Sequence, residues 1–432
     1  MVDLAIFAVI LAVVAAGRQR LRVLPVTGPM IYVAAGALLG PEVAGLLHVD
    51  LDEESIVVLA EVTLALVLFS DASRIDIRSP EFSFNLPARL LLIGLPLTIA
   101  LGTVFSRLIL PELGWAAAAV VATILAPTDA ALGEAVVSNR SVPARVREAL
   151  NVESGLNDGL VVPVFALFVA LVIGRELDGP GSLVFEAVQE IIVGLLVGVA
   201  TAVAAAFILK IATRHGLTDS TGRRLFGLAT ALGAFTLAGL LGGNGFLAAF
   251  ACGLALRFQC GADGTEDSEL AEEIGQVGAA AAFVIFGALL VPEAIEAATP
   301  AVWLCAIGAL TIARMVPVTI ALLGSGAKWP TVSFIGWFGP RGIASMLFGL
   351  LLATDQREAM VSSLSNQPDL LPVVSLVVLA SVVLHGLTAA PLASRYGRWI
   401  AEHPEADTDM FENTPVAESR VRGQLRQPST GG

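Results

Sequence analysis

The stretch that decides the fold reads Ala126-Pro127-Thr128-Asp129 and then, past a short basic turn, Glu153-Ser154-Gly155-Leu156-Asn157-Asp158-Gly159. Strongly apolar segments at about 114–137 and 148–174 contain it, each long enough to cross a bilayer. Carboxylates are therefore carried into a membrane. An acid at the centre of a spanning helix costs roughly 2.5–3.5 kcal/mol, so its presence there points to a functional site. Asp129, Glu153 and Asp158 gather with a proline that weakens a helix and with hydroxyl and amide groups able to hold a cation. The cluster reads as a site for a cation and a proton.

The rest of the chain agrees with a membrane setting. Of 432 residues, 56% are hydrophobic and only 15% charged, against roughly 25% charged in soluble domains. Much of the acid behind the net charge of −13 lies in loops and in the tail after Ala401. The arginines sit in short loops, with no basic stripe or interleaved aromatics, which excludes a nucleic-acid surface. Cys252, Cys260 and Cys305 show no paired spacing, so neither a disulfide framework nor a zinc site is expected, and no cofactor is called for. Residues 4–17 are apolar but are followed, not preceded, by Arg18, Arg20 and Arg22, the reverse of a secretory signal.

Apolar stretches recur near 3–17, 24–47, 55–71, 87–109, 114–137, 148–174, 183–210, 223–242, 244–257, 274–291, 301–324, 332–353 and 371–394. They predict an all-α polytopic membrane protein of about thirteen transmembrane helices, some near the lower length limit of roughly 17 residues. The run Gly242-Gly243-Asn244-Gly245 reads either as a tight turn or as a break within helices. Basic residues follow the first, third, fifth, seventh and last segments, while the alternate loops Pro41–Ser55 and Pro111–Trp115 have none. By the positive-inside rule the N-terminus lies outside and the C-terminus in the cytoplasm. The transmembrane domain is expected over 1–397 and a polar, disordered cytoplasmic tail over 398–432.

Breaks are expected at Gly36 and Gly40, at Pro127, at Pro163, and at Gly339-Pro340-Arg341-Gly342 at the start of the twelfth segment. Interrupted helices at corresponding places in two halves point to a transporter site built on inverted repeats, and the fifth and twelfth segments fit that placement. Within the sixth, Glu153 and Asn157 share one helix face, and Ser154 and Asp158 share the adjacent one. Ser154 and Asp158 can present two oxygens to one ion, with Thr128 and Asp129 adding ligands beside Pro127. Burial favours the neutral form of a carboxylate, so one Asp can hold a proton or help hold Na⁺, but not both. Arg314 needs a buried partner, and Glu153 is the first choice. Asp129 reads equally as a ligand and as a helix-capping residue. His385 reads as a packed hydrogen-bonding group, and Arg341 as a residue that orients or caps the twelfth-segment break.

These residues resemble a known family. Pro127-Thr128-Asp129 followed by Glu153-Ser154-x-x-Asn157-Asp158 is similar to the paired motifs of the cation:proton antiporter-1 family, which includes NhaP-type sodium/proton antiporters and animal sodium/hydrogen exchangers. The resemblance continues in Gly243-Asn244-Gly245-Phe246-Leu247-Ala248, Ile312-Ala313-Arg314, Arg341-Gly342-Ile343-Ala344-Ser345 and His385-Gly386-Leu387-Thr388. It implies thirteen helices with crossed broken fifth and twelfth members, a homodimer, and exchange of Na⁺ or Li⁺ for H⁺. A core bundle including about 87–174 and 301–394 would move, elevator-like, against a dimer bundle including about 1–47 and 183–257. Asp158 would be the central ion- and proton-binding acid, with Thr128, Asp129 and Ser154 completing the Na⁺ site. Glu153, Asn157 and Arg314 would brace it, and Arg341 would serve the break. Asn157 in place of a second Asp resembles the electroneutral branch, and Asp71 matches an acid often found near the cytoplasmic end of the third helix. Ala130 departs from the family's usual proline. Other readings are a K⁺/H⁺ exchanger or a non-transporting sensor on the same fold. From a different class, an intramembrane aspartyl protease would use Asp129 and Asp158, though neither acid has a Gly-x-Gly-Asp or Tyr-Asp setting.

Overall fold

The computed structural model describes residues 2–21, 26–48, 53–75, 85–129, 132, 134–137, 139–173, 180–261, 267–354, 369–403 and 412. Among them the regular structure is helical throughout. In chain order the helices are α1 (Val2–Leu21), α2 (Gly28–Leu39), α3 (Glu53–Arg74) and α4 (Asn85–Ile109, with a π-helical turn at Leu90–Gly94). Then come α5 (Trp115–Ile124), α6 (Glu134–Val137), α7 (Ala144–Ile173), α8 (Pro180–Arg214), α9 (Ser220–Leu240) and α10 (Gly245–Cys260). The chain finishes with α11 (Glu269–Glu296), α12 (Pro300–Leu310), α13 (Ile312–Ala321), α14 (Trp329–Trp337), α15 (Ile343–Thr354) and α16 (Leu370–Ala401).

Each apolar segment read from the sequence carries a helix or a helix pair. Eight helical spans among the described residues, with α12 and α13 together forming one, are long and apolar enough to cross a membrane. Side-chain caps start four of the helices, α2, α9, α10 and α12: Thr27, Asp219, Asn244 and Thr299 each accept from a backbone N–H in the first turn that follows. Gly242-Gly243-Asn244-Gly245 is a tight turn between α9 and α10, with Gly242 at φ +73°, where a side chain would be strained.

Apolar side chains gain little by leaving lipid for each other, so membrane helices associate where small residues let backbones meet. The pair α2–α11 shows this reciprocally. A Cβ at Gly36 would overlap the Val284 carbonyl, and one at Gly287 would overlap the Val33 carbonyl. Gly194 and Gly198 of α8 meet Asn244 and Ala248 of α10 in the same way, and Gly253 of α10 meets Phe69 of α3.

Three expected breaks need correction. Gly36 lies inside α2 and serves close packing, while Gly40 is merely that helix's C-terminal cap. Pro163 lies inside α7 without ending it, since a single lost backbone donor is tolerated where neighbouring helices support the turn. The Gly339–Gly342 break falls between α14 and α15, in the middle of its segment and not at its start. α16 continues to Ala401, past the start of the expected tail. Beyond it, Glu412 is buried, accepting from Lys328 N at 2.8 Å and Thr331 Oγ1 at 2.7 Å. The rest of the predicted disordered tail lies outside the described residues.

Replacing Gly36 by Leu should force α2 and α11 apart and cost about 1–3 kcal/mol. Thermal unfolding in detergent should show the loss. Gly233→Ala, where an added methyl meets open space, should not lower the midpoint.

Candidate functional site

α5 stops at Ile124, and the chain is non-helical from Leu125 to Asp129, because Pro127 cannot donate the next helical hydrogen bond. α14 stops at Trp337, and Gly339-Pro340 prevents the helix from resuming before Ile343. The two open stretches cross each other, and Asp129 N donates to Pro340 O at 2.8 Å.

A helix interrupted inside a membrane strands carbonyls at one end and amides at the other. The partners are supplied across the crossing. Ser345 Oγ donates to Ile124 O at 2.6 Å, and Arg341 Nη1 donates to Ala126 O at 2.6 Å and Pro127 O at 3.0 Å. In return, Asp129 Oδ2 accepts from Ile343 N at 2.9 Å, at the start of α15. The charges suit the half-helix dipoles: a cation at the carbonyl end of α5 and an anion at the amide end of α15. Gly342 is required here, because a side chain on it would occupy the place of the Asp129 carboxylate.

α7 joins this crossing from the side. Ser154 Oγ donates to Thr128 O at 2.8 Å, and Asn157 Nδ2 donates to Thr128 Oγ1 at 2.8 Å. Asn157 Oδ1 is buried and has no hydrogen-bond partner among the described residues, leaving an acceptor beside Asp158. Asp158 is 5% exposed and stands one helical turn from Ser154. A hollow of about 10 Å³ is lined by Thr128, Asp129, Ser154, Phe338 and Pro340 among others, room for about one water-sized body. Asp158 does not line it. On the other side, Gly159 lies beneath the ring of Phe250 of α10, and Gly155 packs on Ile75 and the Asp71 backbone of α3.

Glu153 is the partner of Arg314. The ion pair is bidentate, Nη1 to Oε1 at 2.5 Å and Nη2 to Oε2 at 2.9 Å, with both side chains buried. The Arg314 guanidinium fills the space where a side chain at Gly339 would go, so it ties α7 to the break between α14 and α15. Around Arg341, the backbone N–H donates to Ser381 Oγ at 2.6 Å, Ser381 Oγ lies 3.1 Å from His385 Nδ1, and His385 Nε2 lies 2.9 Å from Trp337 O. His385 is thus a buried hydrogen-bonding group, with Nε2–H donating to the carbonyl.

Asp71 is not brought to the crossing by any of these hydrogen bonds. It sits in the last turn of α3, where Oδ1 accepts from Arg74 Nη1 at 2.9 Å, and Arg74 Nη2 lies 3.0 Å from Glu272 Oε1 of α11. Its carboxylate takes part in a buried ion-pair network between α3 and α11. Sequence reading missed Glu272, and it missed Ser345 and Ser381 as capping groups. The signal for the serines was the count of carbonyls and amides stranded by each break. Of the two readings of Asp129, the geometry gives the capping role to one oxygen, and the residue also borders the hollow.

Interrupted helices that meet beside buried acids define a class of polytopic membrane proteins. The sequence model of the family described as sodium/hydrogen exchanger, transmembrane, matches residues 6–395, and the chain belongs to that family. A probable Na⁺/H⁺ antiporter of Schizosaccharomyces pombe is 26% identical over 67% of this chain and 42% of its own length. A K⁺/H⁺ antiporter, NhaP2, of Shewanella oneidensis is 24% identical over 84% of this chain and 62% of its own. The chain therefore spans between about two fifths and two thirds of the length of such relatives. Among solved structures, the sodium proton antiporter MjNhaP1 from Methanocaldococcus jannaschii at pH 8 superposes with a TM-score of 0.74 at 17% identity, covering 91% of this chain and 97% of that one. The fold is that of NhaP-type antiporters.

Arg314→Ala would leave the Glu153 charge buried without its partner and should cost about 3–5 kcal/mol. The double variant Arg314→Ala/Glu153→Ala should recover part of that loss. A double-mutant cycle on unfolding midpoints measures it.

Proposed function

We propose that the chain is a secondary antiporter that exchanges Na⁺ or Li⁺ for H⁺ across the membrane by alternating access, with both ions competing for Asp158. The observation that carries this reading is the position of Asp158. It is buried within α7, one residue from an Asn that is hydrogen-bonded to the interrupted stretch and one turn from a Ser bonded to the same residue. The family membership and the antiporter names of the relatives support it.

The chemistry follows from one carboxylate with two alternative guests. A proton on Asp158 removes the charge that a cation needs, and a cation bound to the carboxylate displaces the proton. Thr128, Ser154 and Asp129 supply further oxygens, while Glu153, Asn157, Arg314 and Arg341 hold the ligand-bearing segments in place. With either guest the site carries the same net charge, so the loaded protein crosses in both directions without moving net charge. That makes the exchange electroneutral, one H⁺ per cation. The core bundle carries the site past the dimer bundle of a homodimer in the cell membrane, with the N-terminus outside and the C-terminus in the cytoplasm. Neither a cofactor nor a resident metal takes part. The same geometry serves K⁺/H⁺ exchange, a second reading that the Shewanella relatives favour by name.

Proteoliposomes with an imposed pH gradient test the proposal. Adding NaCl or LiCl should dissipate the gradient, and Asp158→Asn should abolish the response; wild-type activity in that variant would refute the site. KCl in place of NaCl separates the two cation readings. Because H⁺ competes with the cation, the apparent KM for Na⁺ should rise about tenfold for each pH unit below the titration point of the site. Clamping the membrane potential at different values should leave the rate unchanged.

A further inference from the structure

A groove of about 900 Å³, open on one side, runs along α4, α5 and α7 and reaches Trp115 at the start of α5. Its volume falls within the roughly 300–1,000 Å³ typical of ligand pockets. Its walls include Leu95, Ile99, Trp115, Ala116, Leu160 and Phe168. The one polar side chain in the lining, Thr103, turns its hydroxyl to Ile99 O at 2.7 Å and offers the cavity only carbon. Along α4 the lining runs from Leu91 to Thr103, a rise of about 18 Å, close to the depth of one leaflet at roughly 15 Å.

Arg107 stands one turn beyond Thr103 on the same stripe of α4. Its guanidinium carbon lies 5.7 Å from the centre of the Trp115 ring. Its Nε is buried and has no hydrogen-bond partner among the described residues, and no acid pairs with it there. An arginine held at the mouth of a hydrocarbon slot by an aromatic ring, with donor capacity to spare, is the arrangement that receives a phosphate with apolar chains attached. Trp115, itself 59% exposed, suits the interfacial depth at which headgroups lie.

The geometry points to a structural phospholipid site: the phosphate on Arg107, and acyl chains between α4, α5 and α7. The site borders the transport machinery without belonging to it. Leu95 lines the cavity and packs with Val161 and Ala126, and the carbonyl of Ala126 is held by Arg341. A bound lipid therefore fills the space behind the crossing of the interrupted helices. This inference stands apart from the ion chemistry, and its test reads binding only.

The full chain, purified in detergent and stripped of lipid, is titrated by native mass spectrometry with phosphatidylglycerol, with diacylglycerol carrying the same chains, and with inorganic phosphate. Phosphatidylglycerol should bind most tightly. Arg107→Ala should weaken it about fivefold, leave diacylglycerol unchanged, and be rescued by Arg107→Lys. Ala116→Trp, which fills the slot but keeps Arg107, should weaken both lipids. Equal binding of phosphatidylglycerol to wild type, Arg107→Ala and Ala116→Trp would overturn the site. So would inorganic phosphate competing as well as the lipid, or Ala116→Trp altering only the association of two copies of the chain.

Discussion

The architecture depends on how backbone polar groups are satisfied where two helices are cut open inside the membrane. Lipid offers no hydrogen bonds, so each carbonyl and amide released at Leu125–Asp129 and Phe338–Gly342 must find a partner within the protein. Arg341 and Asp129 do this reciprocally, each lying on one broken stretch and serving the end of the other helix. The two half-helix ends then carry compensated charge. Without that exchange neither break could exist at this depth, and Thr128 would not face Ser154 and Asn157.

The Glu153–Arg314 pair plays a different part. A buried ion pair adds little net stability against a hydrocarbon equivalent, so its value lies in fixing geometry. It joins the helix that carries Asp158 to the break between α14 and α15, through a guanidinium wedged against Gly339. Ser154 and Asn157 make the corresponding link to the other break. Three residues within five positions of α7 thus lock that helix to both open stretches, beside the buried Asp158.

Much of this was legible in the sequence because membranes make the signals loud. Proline and glycine inside apolar segments marked both interrupted helices, and an intramembrane arginine with an acid on another helix identified its own partner. What stayed hidden depends on distance in three dimensions. Gly36 and Pro163 resembled breaks, yet one is a contact with α11 and the other is absorbed within α7. For Asp71 the sequence shows its depth but not the Arg74 and Glu272 beside it. Ser345 and Ser381 are ordinary residues until the stranded carbonyls and amides are counted.

The contact between Gly159 and the ring of Phe250 bears on how α7 and α10 fit together. Hydrocarbon seals the α10 flank of the residue next to Asp158, whereas the small hollow lies towards Phe338. With no side chain of its own, Gly159 lets that ring rest against the α7 backbone, so one phenylalanine sets how closely α7 and α10 approach beside the acid.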